Sequence, residues 1–116
     1  MSKQKFLERY SRQIILEDIG SLGQELISRT KILVVGSGGL GCPIAEYLSR
    51  AGIGTLGIVD FDKVQLSNIH RQSMYNTKDI GKFKVDVVQK KIKLINPLVK
   101  IKKIRKKNCI VWDLIQ

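Results

Sequence analysis

The sequence predicts an α/β fold, a doubly wound and mainly parallel sheet, of which these 116 residues spell the N-terminal half. Three observations carry that prediction. Ile32, Leu33, Val34 and Val35 form an unbroken apolar run, the pattern of a strand buried on both faces of a parallel sheet. It leads directly into Gly36-Ser37-Gly38-Gly39-Leu40-Gly41, and apolar residues then recur at helical spacing. A second strand-like run, residues 55–59, ends on Asp60, 24 residues past Gly36. Strand, glycine turn, helix and strand in that order make a Rossmann-like βαβ unit.

Taken in order, residues 10–16 read as a short helix punctuated by Gly20 and Gly23, and residues 24–29 as a second helical piece. Residues 31–35 are the first strand. The helix beginning at Cys42 has Pro43 in its first turn, where no N–H is needed. It buries Ile44, Ala45, Leu48 and Ala51, and stops at Gly52, a left-handed cap. Residues 60–77 read as an irregular loop, long enough to imply a task. Residues 79–95 return to helical spacing, with Val85, Val88, Ile92 and Ile95 on one side and lysines on the other. Asn96 and Pro97 end that helix, and residues 98–104 alternate like a third strand. One domain is expected: a helical segment 1–30, then a βαβαβ unit 31–107. A doubly wound sheet needs a second half beyond three strands. The sequence therefore reads as the beginning of a larger protein.

Bulk composition narrows the classes. With 43% apolar residues the chain is globular, and no run approaches the roughly 18 apolar residues of a membrane span. The first residues lack the apolar core of a secretory signal, which implies a cytoplasmic protein without a membrane partner. Cys42 and Cys109 are too few for a four-ligand zinc site and read as reduced thiols, although Cys42 stands at a helix start, where a thiol pKa can fall. Net charge is +11, and it is uneven: residues 1–81 hold 10 Lys and Arg against 8 Asp and Glu, residues 82–116 hold 11 against 2. Residues 100–107 carry no aromatic side chain between their cations, so they offer no base-stacking platform and argue against nucleic acid. A solvated strand and helix face accounts for the charge, with an acidic protein partner as the alternative.

The candidate site follows from the glycines. Gly36, Gly38, Gly39 and Gly41 permit a tight turn and a close approach of backbone to phosphate, while the next helix presents free N–H groups and a positive dipole end. Asp60 stands where a βαβ site places the carboxylate that accepts from a ribose hydroxyl. The loop after it gathers Asp60, Asp62, Asn68, His70 and Arg71 just past the carboxyl end of a strand, where open α/β sheets bind ligands. Arg71 supplies a planar cationic fork for phosphate, and Lys84 a point charge within reach of the same groups. His70 and Gln72 read as residues that position the loop. Glycine loop and Asp60 alone suit NAD as well as ATP, but Arg71 and Lys84 add cations that a dinucleotide, already met by the loop and helix dipole, does not require.

Several segments together resemble the ThiF/MoeB/HesA family of ubiquitin-activating-type adenylyltransferases. They are residues 9–13 (Arg9, Tyr10, Ser11, Arg12, Gln13), 35–42, Asp60 to Asp62, 66–72 (from Leu66 through Ser67, Asn68, Ile69, His70 and Arg71 to Gln72) and 81–84, in the family's order from about Arg9 to Pro97. The resemblance implies ATP as cofactor and adenylation of the C-terminal glycine of a ubiquitin-like sulfur carrier ending in Gly-Gly. It would serve thiamine or molybdopterin synthesis. It implies that Gly39 lies against the nucleotide, that Asp60 binds ribose, and that Asn68, Arg71 and Lys84 surround the triphosphate with Ser67 in the same wall. Arg12 would reach across a homodimer interface to the partner's ATP, making residues 1–30 a dimer arm; pairing with Glu8, Glu17 or Asp18 is its alternative. The family's magnesium-binding aspartate, its later cysteine and its paired zinc motifs have no counterpart in these 116 residues. The expectation is thus a chain weak or inactive alone, or else a non-catalytic nucleotide-binding or dimerisation module.

Overall fold

The computed structural model describes residues 2–105. Three parallel strands, β1 (Lys31–Val35), β2 (Thr55–Val59) and β3 (Lys100–Ile104), lie side by side in sequence order. Ile32 stands opposite Leu56, and Leu56 opposite Ile101; Val34 stands opposite Ile58. Helix α4 (Gly41–Ala51) joins the first pair and α5 (Lys84–Ile95) the second. Both crossovers step the same way across the sheet, so one handedness puts both helices on one face. There Val34, Leu56 and Ile58 pack with Cys42 and Ala45 of α4 and with Val85, Val88 and Ile92 of α5 in a single core. The opposite face begins with exposed Lys31, half-exposed Leu33 and exposed Lys102. Among the described residues no strand lies beyond β1, so the reversal of strand order in a doubly wound sheet is not within them.

The strands and α4 fall where the periodicity put them, but burial differs: Leu33 is 46% exposed because the described helices cover β1 on one face only, and Ile44 is 48% exposed while Cys42 and Ala45 face the core. The N-terminal segment is richer than expected, with α1 (Lys3–Arg9), α2 (Ser11–Ile14) and α3 (Gly20–Arg29). Ser2 caps α1, its Oγ accepting from the Lys5 N–H at 3.2 Å. Tyr10, at φ −105° and ψ 14°, separates α1 from α2; its side chain is buried, the ring packs edge-on against Phe6, and its hydroxyl accepts from Asn96 Nδ2 at 2.9 Å. Gln13 and Gln24 each donate a 3.0 Å hydrogen bond to the Ala51 carbonyl. These bonds tie the arm to the C-terminal end of α4. Gly52 ends α4 at φ 94°, and a Cβ there would strike the Tyr10 ring.

Two boundaries differ from expectation. Helix α5 starts at Lys84 rather than at residue 79. Asn76 and Asp79 instead cap each other around a 3-10 turn, Thr77–Asp79, and Gly81 turns the chain at φ 88°. Residues 60–77 are not structureless either. A 3-10 turn forms at Leu66–Asn68, and Val64 exchanges backbone bonds with Lys82 and Gly81 at 2.9 Å each. Val64, Met74 and Tyr75 are buried in the core, which anchors the loop from within. No helix among the described residues is long and apolar enough to cross a membrane. Cys109, with Lys106 and Lys107 of the basic run, lies outside the described residues.

Candidate nucleotide-binding site

The glycine loop leaves the end of β1 with Gly36 at φ 91°, its N–H bonded to the Val59 carbonyl at 2.7 Å. A Cβ at Gly41 would overlap the Gly36 carbonyl, so the loop can close into α4 only with glycine there. The first helical bond runs from the Cys42 N–H to the Gly38 carbonyl at 3.0 Å. Among the described residues the N–H groups of Gly38, Gly39, Leu40 and Gly41 find no acceptor. Four successive free donors at the positive end of an 11-residue helix form an anion cradle.

Asp60 holds that cradle in place. It is 5% exposed, and Oδ2 accepts from the Ser37 N–H at 2.8 Å and from Ser37 Oγ at 3.1 Å. Oδ1 accepts from the Asp62 N–H at 2.8 Å. Each carboxylate oxygen has two lone pairs, so Oδ2 is filled by the protein and Oδ1 keeps one acceptor position for a ribose hydroxyl. The residue expected to hold a ribose thus also clamps two loops, a role that spacing alone did not reveal.

The loop after β2 folds over the glycines. The aliphatic part of Arg71 runs 4.0 Å from where a Gly39 Cβ would stand, and its Nη1 donates to the Ser67 carbonyl at 2.9 Å. His70 Nδ1 approaches the same carbonyl at 3.0 Å, which supports its reading as a loop-positioning residue. Arg71 remains exposed, free to turn its guanidinium to an anion above the cradle. Asn68 is buried; its Oδ1 accepts from the Gln65 N–H at 2.9 Å, which leaves the amide NH2 to donate elsewhere. Lys84, at the first turn of α5, is 6% exposed, with Nζ 4.0 Å from Asp62 Oδ2 and 5.9 Å from the Tyr75 ring centre. Asp62 is exposed, and its carbonyl accepts from the Lys84 N–H at 3.0 Å. Gln72 is 4% exposed beside Gly38, and its Oε1 has no hydrogen-bond partner. A buried amide oxygen without a donor is costly, about 1–3 kcal/mol, and is an opening for a ligand's donor.

Arg12 is not brought to this site. It is exposed on α2, and the neighbouring Gln13 binds the far end of α4. The helix between them and the glycine loop is about 16 Å long at 1.5 Å per residue. Among the described residues Arg12 pairs with none of Glu8, Glu17 and Asp18. Cys42 is a packing residue and not an activated thiol: it is fully buried in the core, burial pushes its pKa up, and its Sγ lies 3.2 Å from the Ser37 carbonyl. Tyr75 escaped the sequence reading. Its hydroxyl donates to the same carbonyl at 2.7 Å, and burial drives its pKa far above the usual phenol range. The only sequence signal was a tyrosine beside Met74 in a loop otherwise rich in polar residues.

The residues present fit a nucleotide: an N–H cradle follows β1, Arg71 lies beside Gly39, Gln72 with its unpartnered Oε1 lies beside Gly38, and Lys84 is buried near Asp62 and Tyr75. They do not fit a metal by themselves, since among the described residues no three His, Cys, Asp or Glu side chains cluster. Comparison with known proteins agrees with the geometry. The chain is 48% identical over 95 residues to the sulfur carrier protein adenylyltransferase of Thermus thermophilus, spanning 82% of this chain and 35% of that protein. The E. coli tRNA N6-threonylcarbamoyladenosine dehydratase TcdA, solved in complex with ATP, superposes with a TM-score of 0.84 at 29% identity, over 91% of this chain and 43% of its own. The structure of PaaA superposes with a TM-score of 0.82 at 38% identity, over 91% of this chain and 35% of that one. The ThiF family model matches residues 10–110, and the chain belongs to the ThiF family.

Proposed function

We propose that this chain is the ATP-binding part of an adenylyltransferase that activates the C-terminal glycine of a ubiquitin-like sulfur carrier. The observation that carries the reading is the row of free N–H groups from Gly38 to Gly41, with Arg71 laid alongside Gly39 and Lys84 buried nearby. In the reaction a carboxylate oxygen of the carrier attacks the α-phosphorus. A new P–O bond forms, the bond to the bridging α–β oxygen breaks, and pyrophosphate leaves with that electron pair. Negative charge grows on the phosphates during this exchange. The N–H cradle orients them, and Arg71 and Lys84 offset the charge. Asn68 donates its free amide NH2 to the same chain of phosphates, and Ser67 stands in the same wall. Asp60 takes a ribose hydroxyl on its remaining Oδ1 acceptor position. The resemblance to the family implies a magnesium ion held by an aspartate with no counterpart in these 116 residues; when bound it would offset charge on the leaving pyrophosphate.

The same reading makes residues 1–30 a dimer arm. Arg12 lies too far from its own cradle to serve it, and Ile15, Leu16, Leu22 and Leu26 of the arm are exposed apolar side chains suited to a second copy. Across such an interface Arg12 would meet the partner's nucleotide as an added cation.

The test has two stages. Calorimetry on the 116-residue chain is expected to show ATP bound more tightly than NAD, because only the triphosphate uses both Arg71 and Lys84; equal or tighter NAD binding overturns the reading. ATP–pyrophosphate exchange dependent on a Gly-Gly-ended carrier then tests the chemistry. Exchange is expected only when a separately produced C-terminal part of a ThiF-family enzyme is added. Robust exchange by the 116 residues alone, abolished by Arg71→Ala, would show that they already contain a complete site. ATP binding without exchange under either condition would favour a non-catalytic module.

A further inference from the structure

Ser37 is the buried residue of the glycine loop, 1% exposed, and all its polar groups are engaged from within. Asp60 takes its N–H and its hydroxyl. Its carbonyl receives the Tyr75 hydroxyl at 2.7 Å, a well-formed O–H···O bond, and the Cys42 thiol at 3.2 Å, a weak donor. Tyr75 stands 38 residues further along the chain and is itself 4% exposed, so its hydroxyl is held rigidly by the core around it. In a trans peptide a carbonyl and the N–H that follows it point to opposite sides. With the Ser37 carbonyl drawn inward, the Gly38 N–H is turned the opposite way, and like the N–H groups of Gly39, Leu40 and Gly41 it has no acceptor among the described residues. Gly38, on one side of that peptide, puts little restraint of its own on it. The inward hydrogen bond therefore selects one of two accessible orientations, and the other would remove a donor from the cradle.

We propose that Tyr75 is a positioning residue for phosphate binding: through the Ser37 carbonyl its hydroxyl holds the peptide between Ser37 and Gly38 so that the Gly38 N–H faces the phosphates. The proposal rests on the nucleotide-binding reading of the glycine loop. Tyr75 touches no phosphate itself. Its contribution is to remove an orientation of the peptide that would otherwise have to be given up when the anion arrives.

The test is Tyr75→Phe in the 116-residue chain, which deletes one oxygen and keeps the ring in the core. ATP is expected to bind about 5- to 10-fold more weakly, the usual effect of losing one hydrogen bond of ordinary strength, while adenosine binds as in the parent. In the ligand-free protein, the residual dipolar coupling of the Gly38 N–H is expected to change and that of a β2 amide to stay. Equal losses for ATP and adenosine, unchanged ATP affinity, or an unmoved Gly38 coupling each overturn the proposal. A further arm needs no variant: the Gly38 amide proton of the parent chain is expected to exchange with solvent rapidly and to be protected by added ATP. A Gly38 amide already protected without nucleotide overturns the proposal. A parent chain that binds no ATP would overturn the nucleotide reading instead, and the Gly38 coupling would still decide whether Tyr75 orients the peptide.

Discussion

Replacing Asp60 by alanine is expected to destabilise the domain as well as weaken nucleotide binding. The carboxylate accepts two backbone N–H bonds at 2.8 Å, from Ser37 and from Asp62, and the Ser37 hydroxyl at 3.1 Å. Hydrogen bonds to a charged group contribute about 1.5–3 kcal/mol each. Asp62 is exposed, so its N–H regains water when the carboxylate goes, whereas Ser37 is buried and leaves both donors stranded. The loss concentrates on Ser37 and comes to roughly 3–5 kcal/mol, a large share of the ~5–15 kcal/mol that holds a domain folded. Urea unfolding followed by circular dichroism measures it. With a slope of about 1.5 kcal/mol per M, the midpoint should fall by roughly 2–3 M. Asp60→Asn should recover only part of this, because its NH2 must face one of the two N–H donors. An Asp60→Ala protein with the parent midpoint and lost ATP affinity would refute the clamp and leave Asp60 a ligand contact only.

Other outcomes follow from the same geometry. Gly41→Ala should prevent the glycine loop from closing into α4, because its Cβ meets the Gly36 carbonyl; full ATP affinity in that variant would contradict the loop geometry. Arg71→Ala should weaken ATP markedly and adenosine hardly at all in parallel titrations if, as proposed, the guanidinium serves the phosphates; equal losses for the two would contradict that role. Cys42, buried and with its pKa raised, should react with a thiol reagent at neutral pH only as fast as the domain unfolds, measured in a Cys109→Ser background. Asp79 gives a pH dependence: burial is the largest single influence and raises its pKa, but the Asn76 N–H and Lys91, helped by Lys82, together bring it below the ordinary 3.8. A carboxyl lowered by folding stabilises the native state above its ordinary pKa and ceases to do so as pH falls through the folded value. Asp79→Asn should therefore unfold at lower urea than the parent at pH 6, with the gap closing below pH 3.8.

Local signals in this sequence were strong where backbone chemistry leaves few options. Ile32 to Val35 read as a strand and form one, although only Val34 of the run is buried, and the glycines after it permit a turn that other residues forbid, as Gly36 at φ 91° and the crowding at Gly41 bear out. Those two features, with Asp60 at its distance, pointed to a nucleotide loop, and the segment after Asp60 offered Arg71, whose aliphatic part the fold lays beside Gly39. The division of labour inside the site was not legible, because it depends on which atoms meet across long gaps in the chain. Spacing could make Asp60 a ribose ligand, but only the fold brings the Ser37 N–H to its carboxylate, and only the fold buries Tyr75 against the Ser37 carbonyl. Likewise Asn76 and Asp79 close a local turn that delays α5 to Lys84, although the apolar spacing upstream suggested a helix. Apolar periodicity reports what must leave water. Hydrogen-bond partners of buried polar groups are chosen by the tertiary structure, because a buried donor or acceptor needs a partner that the sequence alone does not identify.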